Sequence, residues 1–366
     1  MFSNFSNPNL NHAPIRFEIA IVGFCNSLHR TQVVIKLRAM SEGSGDDKSA
    51  SSVEETSVPR SNLHLASFLE PCSGLFEDDT GKLGRHVRAL RDIVPGEVIV
   101  RSSPYAAVIS DRAREVLCHN CFSQSKHLLL CSGCSFSAFC STQCLNASRK
   151  HHALECETLK AIREKKIAME STNIIRLMIR ILTNRANEHQ LSVKTKDRKK
   201  SSKICFSDVC DLISHKERLP PQAIEEFRAV VEALRPVLHE AVLLPNDEHY
   251  LDLLMRIQCN AHSLYGAEDR SVYGFALFPV ASMVNHSCTP NSFWTFVPQP
   301  AGAPIMEFRG ITDIKTGQQI VYSYVNQYLP SSSRQQILLG SYFFMCDCSR
   351  FVSMFSSEGL RTMFGR

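Results

Sequence analysis

No apolar run in the 366 residues approaches the roughly 18–20 residues that a membrane helix needs, so no membrane partner is expected. Charge of one sign is scarce as well. The balance of 41 Lys+Arg against 36 Asp+Glu leaves +5, too mild on its own to argue for nucleic acid. There is no internal repeat and no convincing secretory signal. Residues 1–40 hold a single acidic residue, Glu18, against Arg16, Arg30, Lys36 and Arg38. That composition is compatible with an organelle transit peptide, and equally with a disordered tail or a real start at Met40. Val272 to Met306 lacks Asp, Glu, Lys and Arg altogether, but Asn285, His286, Pro290 and Asn291 interrupt it, so it reads as buried strands and turns. What is present in quantity is cysteine. Fifteen are found, seven of them between Cys118 and Cys156. An odd, crowded set without a secretory signal points to metal ligation rather than a disulfide framework.

A hydrophobic content of 44% with 21% charged residues excludes wholesale disorder, and the length allows two or three compact domains. Residues 1–62 are expected to be disordered, because Ser41 to Ser61 is rich in Ser, Gly, Asp and Glu. Folded sequence begins near Leu63. From Gly84 to Val108, short apolar runs around Pro95-Gly96 predict strand, turn, strand. Ile174, Met178, Ile181 and Leu182 mark one face of a helix. Leu191 to Lys203, with six Lys/Arg, reads as a solvated loop. Ile224, Phe227, Val231, Leu234 and Leu238 mark a second helical face, with Pro220-Pro221 suited to its first turn. Asn246 is the expected N-cap of a further helix through Leu254 and Ile257. Beyond Tyr273, short strands and turns are expected up to Cys348.

The cysteine cluster has metal-ligand spacing: Cys118-x2-Cys121, Cys131-x2-Cys134, Cys140-x3-Cys144 and His152-x3-Cys156. Eight candidate ligands make two closed tetrahedral zinc sites with no remainder. A tight CxxC knuckle lets two thiolates reach one ion while backbone N–H groups support the sulfurs. Buried free cysteines beside a core histidine would explain one such pair, but not four in so short a segment.

These residues resemble the MYND zinc finger. In that family the pairs interleave, which implies one ion on Cys118, Cys121, Cys140 and Cys144, and another on Cys131, Cys134, His152 and Cys156. Arg149 stands where MYND fingers usually carry Trp in a peptide groove. Downstream come Asn285-His286-Ser287-Cys288-Thr289-Pro290-Asn291, then Ile320-Val321-Tyr322-Ser323-Tyr324, Arg334, and Tyr342-Phe343-Phe344-Met345-Cys346-Asp347-Cys348. In this order they resemble the SET domain. The whole is similar to the SET-and-MYND lysine methyltransferase family over roughly residues 65–350.

The resemblance implies an α+β fold: a β-rich SET domain with an inserted MYND zinc finger and a helical insert. It places the first SET segment at 63–116, the finger at 117–156, the helical insert at 157–255, the catalytic core at 256–345 and an incomplete post-SET segment with a tail at 346–366. Gly84 and Arg85 match the glycine-rich turn that meets S-adenosylmethionine, with His86 replacing its second glycine. Asn260, Asn285 and His286 match further cofactor contacts, Tyr324 and Tyr342 match tyrosines at the methyl-transfer point, and Phe344 matches an aromatic that lines the channel. Cys288, Cys346 and Cys348 match three ligands of a third, post-SET zinc whose fourth position is Phe351 here. The implied activity is S-adenosylmethionine-dependent methylation of a lysine on a protein, histone or otherwise. The rival from another class is a catalytically weak adaptor whose finger binds proline-containing peptides. The finger's spacing is not that of a base-reading finger, so sequence-specific DNA binding is not expected. Nucleus and cytoplasm are the expected locations, with organelle targeting by residues 1–40 as the other.

Overall fold

The computed structural model describes residues 19–21, 35–37, 63–77, 83–165, 173–194, 203–265, 271–299 and 302–352. The remaining residues, including most of the predicted N-terminal segment and the tail beyond 352, lie outside this description.

Along the chain, β1 (Ile19–Ile21) pairs antiparallel with β2 (Ile35–Leu37). The short helix α1 (Leu63–Ala66) leads into β3 (Ser73–Glu77) and β4 (Arg85–Ala89), which pair antiparallel. β5 (Val98–Ser102) and β6 (Ala106–Ile109) follow. The cysteine-rich segment holds the small hairpin of β7 (Leu129–Leu130) and β8 (Ala138–Phe139), then α2 (Thr142–Glu164). A helical block comes next: α3 (Asn173–Lys194), α4 (Phe206–Cys210), α5 (Pro221–Leu234) and α6 (Asp247–Asn260). The chain then returns to strands, with β9 (Ala261–Tyr265), β10 (Val272–Leu277), β11 (Asn285–His286), β12 (Ser292–Val297), β13 (Ile305–Gly310) and β14 (Val321–Tyr322). Helices α7 (Ser331–Tyr342) and α8 (Ser349–Val352) close the described chain.

Two three-stranded antiparallel sheets interleave the ends of the chain. One has the order β12-β13-β5 and the other β6-β10-β9. Each therefore joins strands from before and after the finger and helical block, so both are insertions into one β-rich unit. Pro95-Gly96 does make the predicted turn, Gly96 taking a φ of +86° that a side chain would resist. One continuous core runs from Val87, Ile99 and Val100 through Phe278 and Phe308 to Leu177 and Met178. Burial of such side chains contributes about 1.5–3 kcal/mol each.

The predicted face of α3 is buried, as are Phe227, Val231 and Leu234 on α5 and Leu254 on α6, with Ile224 half-buried, and Asn246 accepts a hydrogen bond from His249 N at 3.2 Å as the N-cap. Other expectations need correction. The helix α3 runs on to Lys194, so the first residues of the predicted basic loop are helical. The α5 helix stops at Leu234, because Pro236 has no N–H to continue it and Leu238 falls beyond a 3-10 turn. Residues 331–342, expected as strands and turns, form α7. Its buried face is mostly polar (Arg334, Gln335, Ser341 beside Leu338 and Tyr342), so no apolar periodicity marks it. Finally, α2 begins inside the cysteine cluster, where Ser141 Oγ accepts from Cys144 N at 3.1 Å. That single helix carries Cys144, His152 and Cys156 and continues into the helical block.

Candidate active site and metal centres

The eight cluster residues fall into two groups. The ligand atoms of Cys118, Cys121, Cys140 and Cys144 all lie within 4.8 Å of one another, as do those of Cys131, Cys134, His152 and Cys156. This is the interleaved pairing that the resemblance implies. Tetrahedral zinc at about 2.3 Å from each sulfur puts neighbouring sulfurs roughly 3.7 Å apart. The observed separations are 3.7 Å for Cys121 to Cys140, 3.5 Å for Cys140 to Cys144 and 3.7 Å for Cys131 to Cys156. His152 Nε2 lies 3.3 Å from Cys131 Sγ and 3.8 Å from Cys134 Sγ. Gly133 completes the knuckle, since a Cβ there would come within 2.9 Å of Cys156 Sγ. The donor sets fit zinc.

Glu155 escaped the sequence reading. His152 Nδ1 faces its Oε2 at 3.7 Å, and Arg180 Nη2 donates to the same oxygen at 2.6 Å. Burial alone would raise this carboxyl, but Arg180 and His152 bring it down to about 2. A fixed carboxylate behind a ligating histidine orients the ring and raises its basicity. Its one sequence signal is the i, i+3 spacing of His152 and Glu155 on α2. Phe136 ties the finger both to the segment before it and to the helical block, its ring 4.9 Å from the Arg114 guanidinium carbon and 5.0 Å from that of Arg176 on α3. Arg149, at the expected groove position, is exposed.

A second assembly forms where β11 and β14 run parallel, bringing Asn285-His286 beside Val321-Tyr322. The Tyr324 ring lies 4.9 Å from Tyr342 and 5.2 Å from His286, and Phe344 is 5.8 Å from His286 and 6.3 Å from Tyr324. Four predicted aromatic residues thus converge. Tyr324 N donates to His286 Nδ1 at 2.9 Å, and Tyr324 Oη donates to Val284 O at 2.9 Å, which fixes both rings.

Behind them, His286, Cys288 and Cys346 bring three ligand-type atoms within 4.8 Å, a group that does not include Cys348. His286 Nε2 is 3.4 Å from Cys288 Sγ, so this residue faces the aromatic cluster and the thiols together. Arg334 Nε donates to Cys288 Sγ at 3.4 Å. Hydrogen bonding from Cys346 and Arg334 outweighs burial and brings the Cys288 thiol down to about 7. Gln335, also missed from sequence, clamps the Cys346 backbone, donating to its carbonyl at 2.6 Å and accepting from its N–H at 2.9 Å. The side chain of Phe351 lies outside the described residues.

The predicted cofactor residues Gly84, Arg85 and Asn260 belong to a neighbouring network of hydrogen bonds. Asn285 Nδ2 donates to Leu83 O at 2.9 Å, tying β11 to the Gly84 turn. Gly84 has φ +57°, with open space where a Cβ would stand, so the turn admits close approach of a ligand. His86 does not disturb it. It sits inside β4 with its side chain buried, Nδ1 2.9 Å from Gly84 O. Arg85 and Asn260 turn to one stretch of the helical block. Arg85 donates to Asp211 O, Arg256 Nε to Leu212 O at 2.9 Å, Asn260 Nδ2 to Ile213 O at 2.8 Å and Cys259 Sγ to Ser214 O at 3.3 Å. Four successive carbonyls are held by side chains from β4 and α6. The Gly84 turn is thus tied to β11 through Leu83 and to this stretch through Arg85.

Residues 84–325 match the SET domain family. The histone-lysine N-methyltransferase SMYD3 of Mus musculus is 27% identical over 275 residues, covering 74% of this chain and 60% of that protein. The histone-lysine N-methyltransferase ASHR1 of Arabidopsis thaliana is 30% identical over 291 residues, 78% of this chain and 56% of its own length. The N-lysine methyltransferase SMYD2-B of Danio rerio is 28% identical over 265 residues, 72% and 57%. The chain therefore spans somewhat under two thirds of the curated relatives it matches. With the SET strands closed around an inserted two-centre cysteine finger, the chain belongs to the SET domain family, in its SET-and-MYND branch.

Proposed function

We propose that the protein is a protein-lysine N-methyltransferase that uses S-adenosylmethionine. The observation that carries this reading is the convergence of Tyr324, Tyr342, His286 and Phe344 beside the Gly84 turn. S-adenosylmethionine supplies an electrophilic methyl on a sulfonium, so the chain needs no metal or covalent nucleophile at the reacting centre. Its own residues have three tasks. Gly84, Asn285 and the stretch held by Arg85 and Asn260 bind. Tyr324 and Tyr342 orient an uncharged lysine amine in line, where positioning is worth about 7–11 kcal/mol. The aromatic walls exclude water and lower the lysine pKa, favouring the reactive neutral amine.

The names of the relatives support a lysine on a protein, histone or otherwise, as the substrate. The finger, having no open coordination position, would serve proline-containing peptide partners rather than chemistry. Nucleus and cytoplasm are the proposed locations, checked by imaging a tagged chain with and without residues 1–40. Transfer of radiolabelled methyl to histone and non-histone protein mixtures tests the activity. Calorimetric titration with S-adenosylmethionine separates it from the adaptor reading, which does not require the cofactor. Absence of both binding and transfer would leave the adaptor.

A further inference from the structure

Away from the finger and the active site, three ligand-type side chains meet where the N-terminal helix touches the helical block. His64 Nδ1 on α1 lies 2.8 and 3.0 Å from the two carboxylate oxygens of Asp208 on α4. Cys205, one residue before α4, turns its Sγ to Asp208 Oδ2 at 3.2 Å. One ligand atom from each lies within 4.8 Å of the others. Asp208 is buried, while His64 and Cys205 are half-buried. We propose that His64, Cys205 and Asp208 form a further divalent-metal site, of the zinc class, that clips α1 to α4.

An ion pair and a helix cap explain part of this arrangement but not its thiol. Cys205 occupies the N-cap of α4, a position at which side-chain oxygen is favoured because it accepts well from backbone N–H. A thiol is a poor acceptor and a weak donor, and this one faces a buried carboxylate. Without a cation the thiol has only Asp208 Oδ2 to donate to and Ser207 Oγ beside it at 3.1 Å. A divalent cation would suit all three groups, since one thiolate, one carboxylate and a neutral imidazole around a 2+ ion sum to no net charge. Sulfur and imidazole nitrogen together select zinc over the oxygen-seeking cations. Three protein ligands leave a fourth position for water. His64 and Asp208 are 144 residues apart, so the clip would close a long loop and stabilise the folded chain through it. It would also steady the chain just ahead of Asp211, whose carbonyl Arg85 holds.

The test follows alkylation of individual cysteines by iodoacetamide, read by peptide mass spectrometry, on the full chain after mild chelation and after zinc is returned. Cys210, exposed and at the other end of α4, is the internal control. With free zinc at ten times its dissociation constant, Cys205 should react about tenfold more slowly, while Cys210 keeps its rate. In His64→Ala the protection of Cys205 should vanish, with the finger cysteines still protected. Equal rates at Cys205 with and without zinc, or full protection retained in His64→Ala, overturns the proposal. Since the first comparison uses the unaltered chain, it holds even where the variant fails to fold.

Discussion

At Tyr324, hydroxyl and backbone N–H do different jobs. The hydroxyl donates to Val284 O, whereas the N–H is satisfied by His286. Tyr324→Phe therefore deletes one hydrogen bond at the proposed reacting centre, about 1–3 kcal/mol when a buried partner is stranded. Methyl transfer should slow roughly ten- to a hundredfold with cofactor affinity nearly unchanged. His286→Ala strands Tyr324 N and removes a ring that touches both Tyr324 and Phe344, so calorimetry should show weakened S-adenosylmethionine binding as well. If Tyr324→Phe keeps full turnover on a lysine substrate, Tyr324 is packing. Glu155 offers a second residue-level check. Glu155→Gln leaves Arg180 buried without its carboxylate, which costs about 3–5 kcal/mol, and removes the group behind His152. Chelator competition should show the second finger ion held roughly 10–100-fold more weakly, and retention equal to wild type would assign Glu155 to Arg180 alone. The metal ligands were legible because thiol spacing is dictated by the ion. Glu155 and Gln335 were not, because a lone polar residue on a helix carries no period that distinguishes a partner from a solvated side chain.

Among the elements, the turn after α4 carries a pH signature. His215 has a left-handed backbone, φ 52°, and its ring lies 5.6 Å from that of Phe343 at a tilt of 52°, Phe343 itself being left-handed at φ 60°. Burial, then Arg218, lowers its pKa from 6.5, against an opposing pull from Glu217. Below 6.5 the unfolded chain takes up this proton before the folded chain does, so His215 makes stability fall as pH drops through that window and leaves it level above. His215→Asn, a residue that tolerates the left-handed region, should flatten this part of the stability profile below pH 6.5 in thermal melts. An unchanged slope would place the dependence elsewhere. Elements whose burial is apolar, α3 and α5, could be read from spacing alone. The α7 helix could not, because its inward face carries Arg334, which donates to Cys288, and Gln335, which clamps Cys346, beside the buried Ser341. The continuity of α2 from finger to helical block was hidden for another reason: ligand spacing dominates the text there and masks the helical period.

For the molecule as a whole, metal content is the most direct measure of how its parts are held. The two finger ions should survive mild chelation, whereas metal at Cys288 and Cys346 should be lost readily, since Phe351 supplies no ligand there. Phe351→Cys should raise zinc retention by elemental analysis and increase turnover in a side-by-side assay. A gain in neither would show that this site does not limit the protein. The fold class was legible because the SET motifs and ligand pairs are local in sequence. What sequence could not give is how distant segments meet, as in the sheets that join strands from either side of two insertions. The four held carbonyls from Asp211 to Ser214 show what such meeting entails. Each is matched to one particular donor, Arg85, Arg256, Asn260 or Cys259, so this stretch behaves like a key cut to four pins. The four donors read backbone oxygens, so what they fix is the length of the stretch, while Leu212 also anchors it in the core. Adding or removing one residue there would put every later carbonyl opposite the wrong donor, and the face proposed for the cofactor would lose its shape without any change to a residue that lines it.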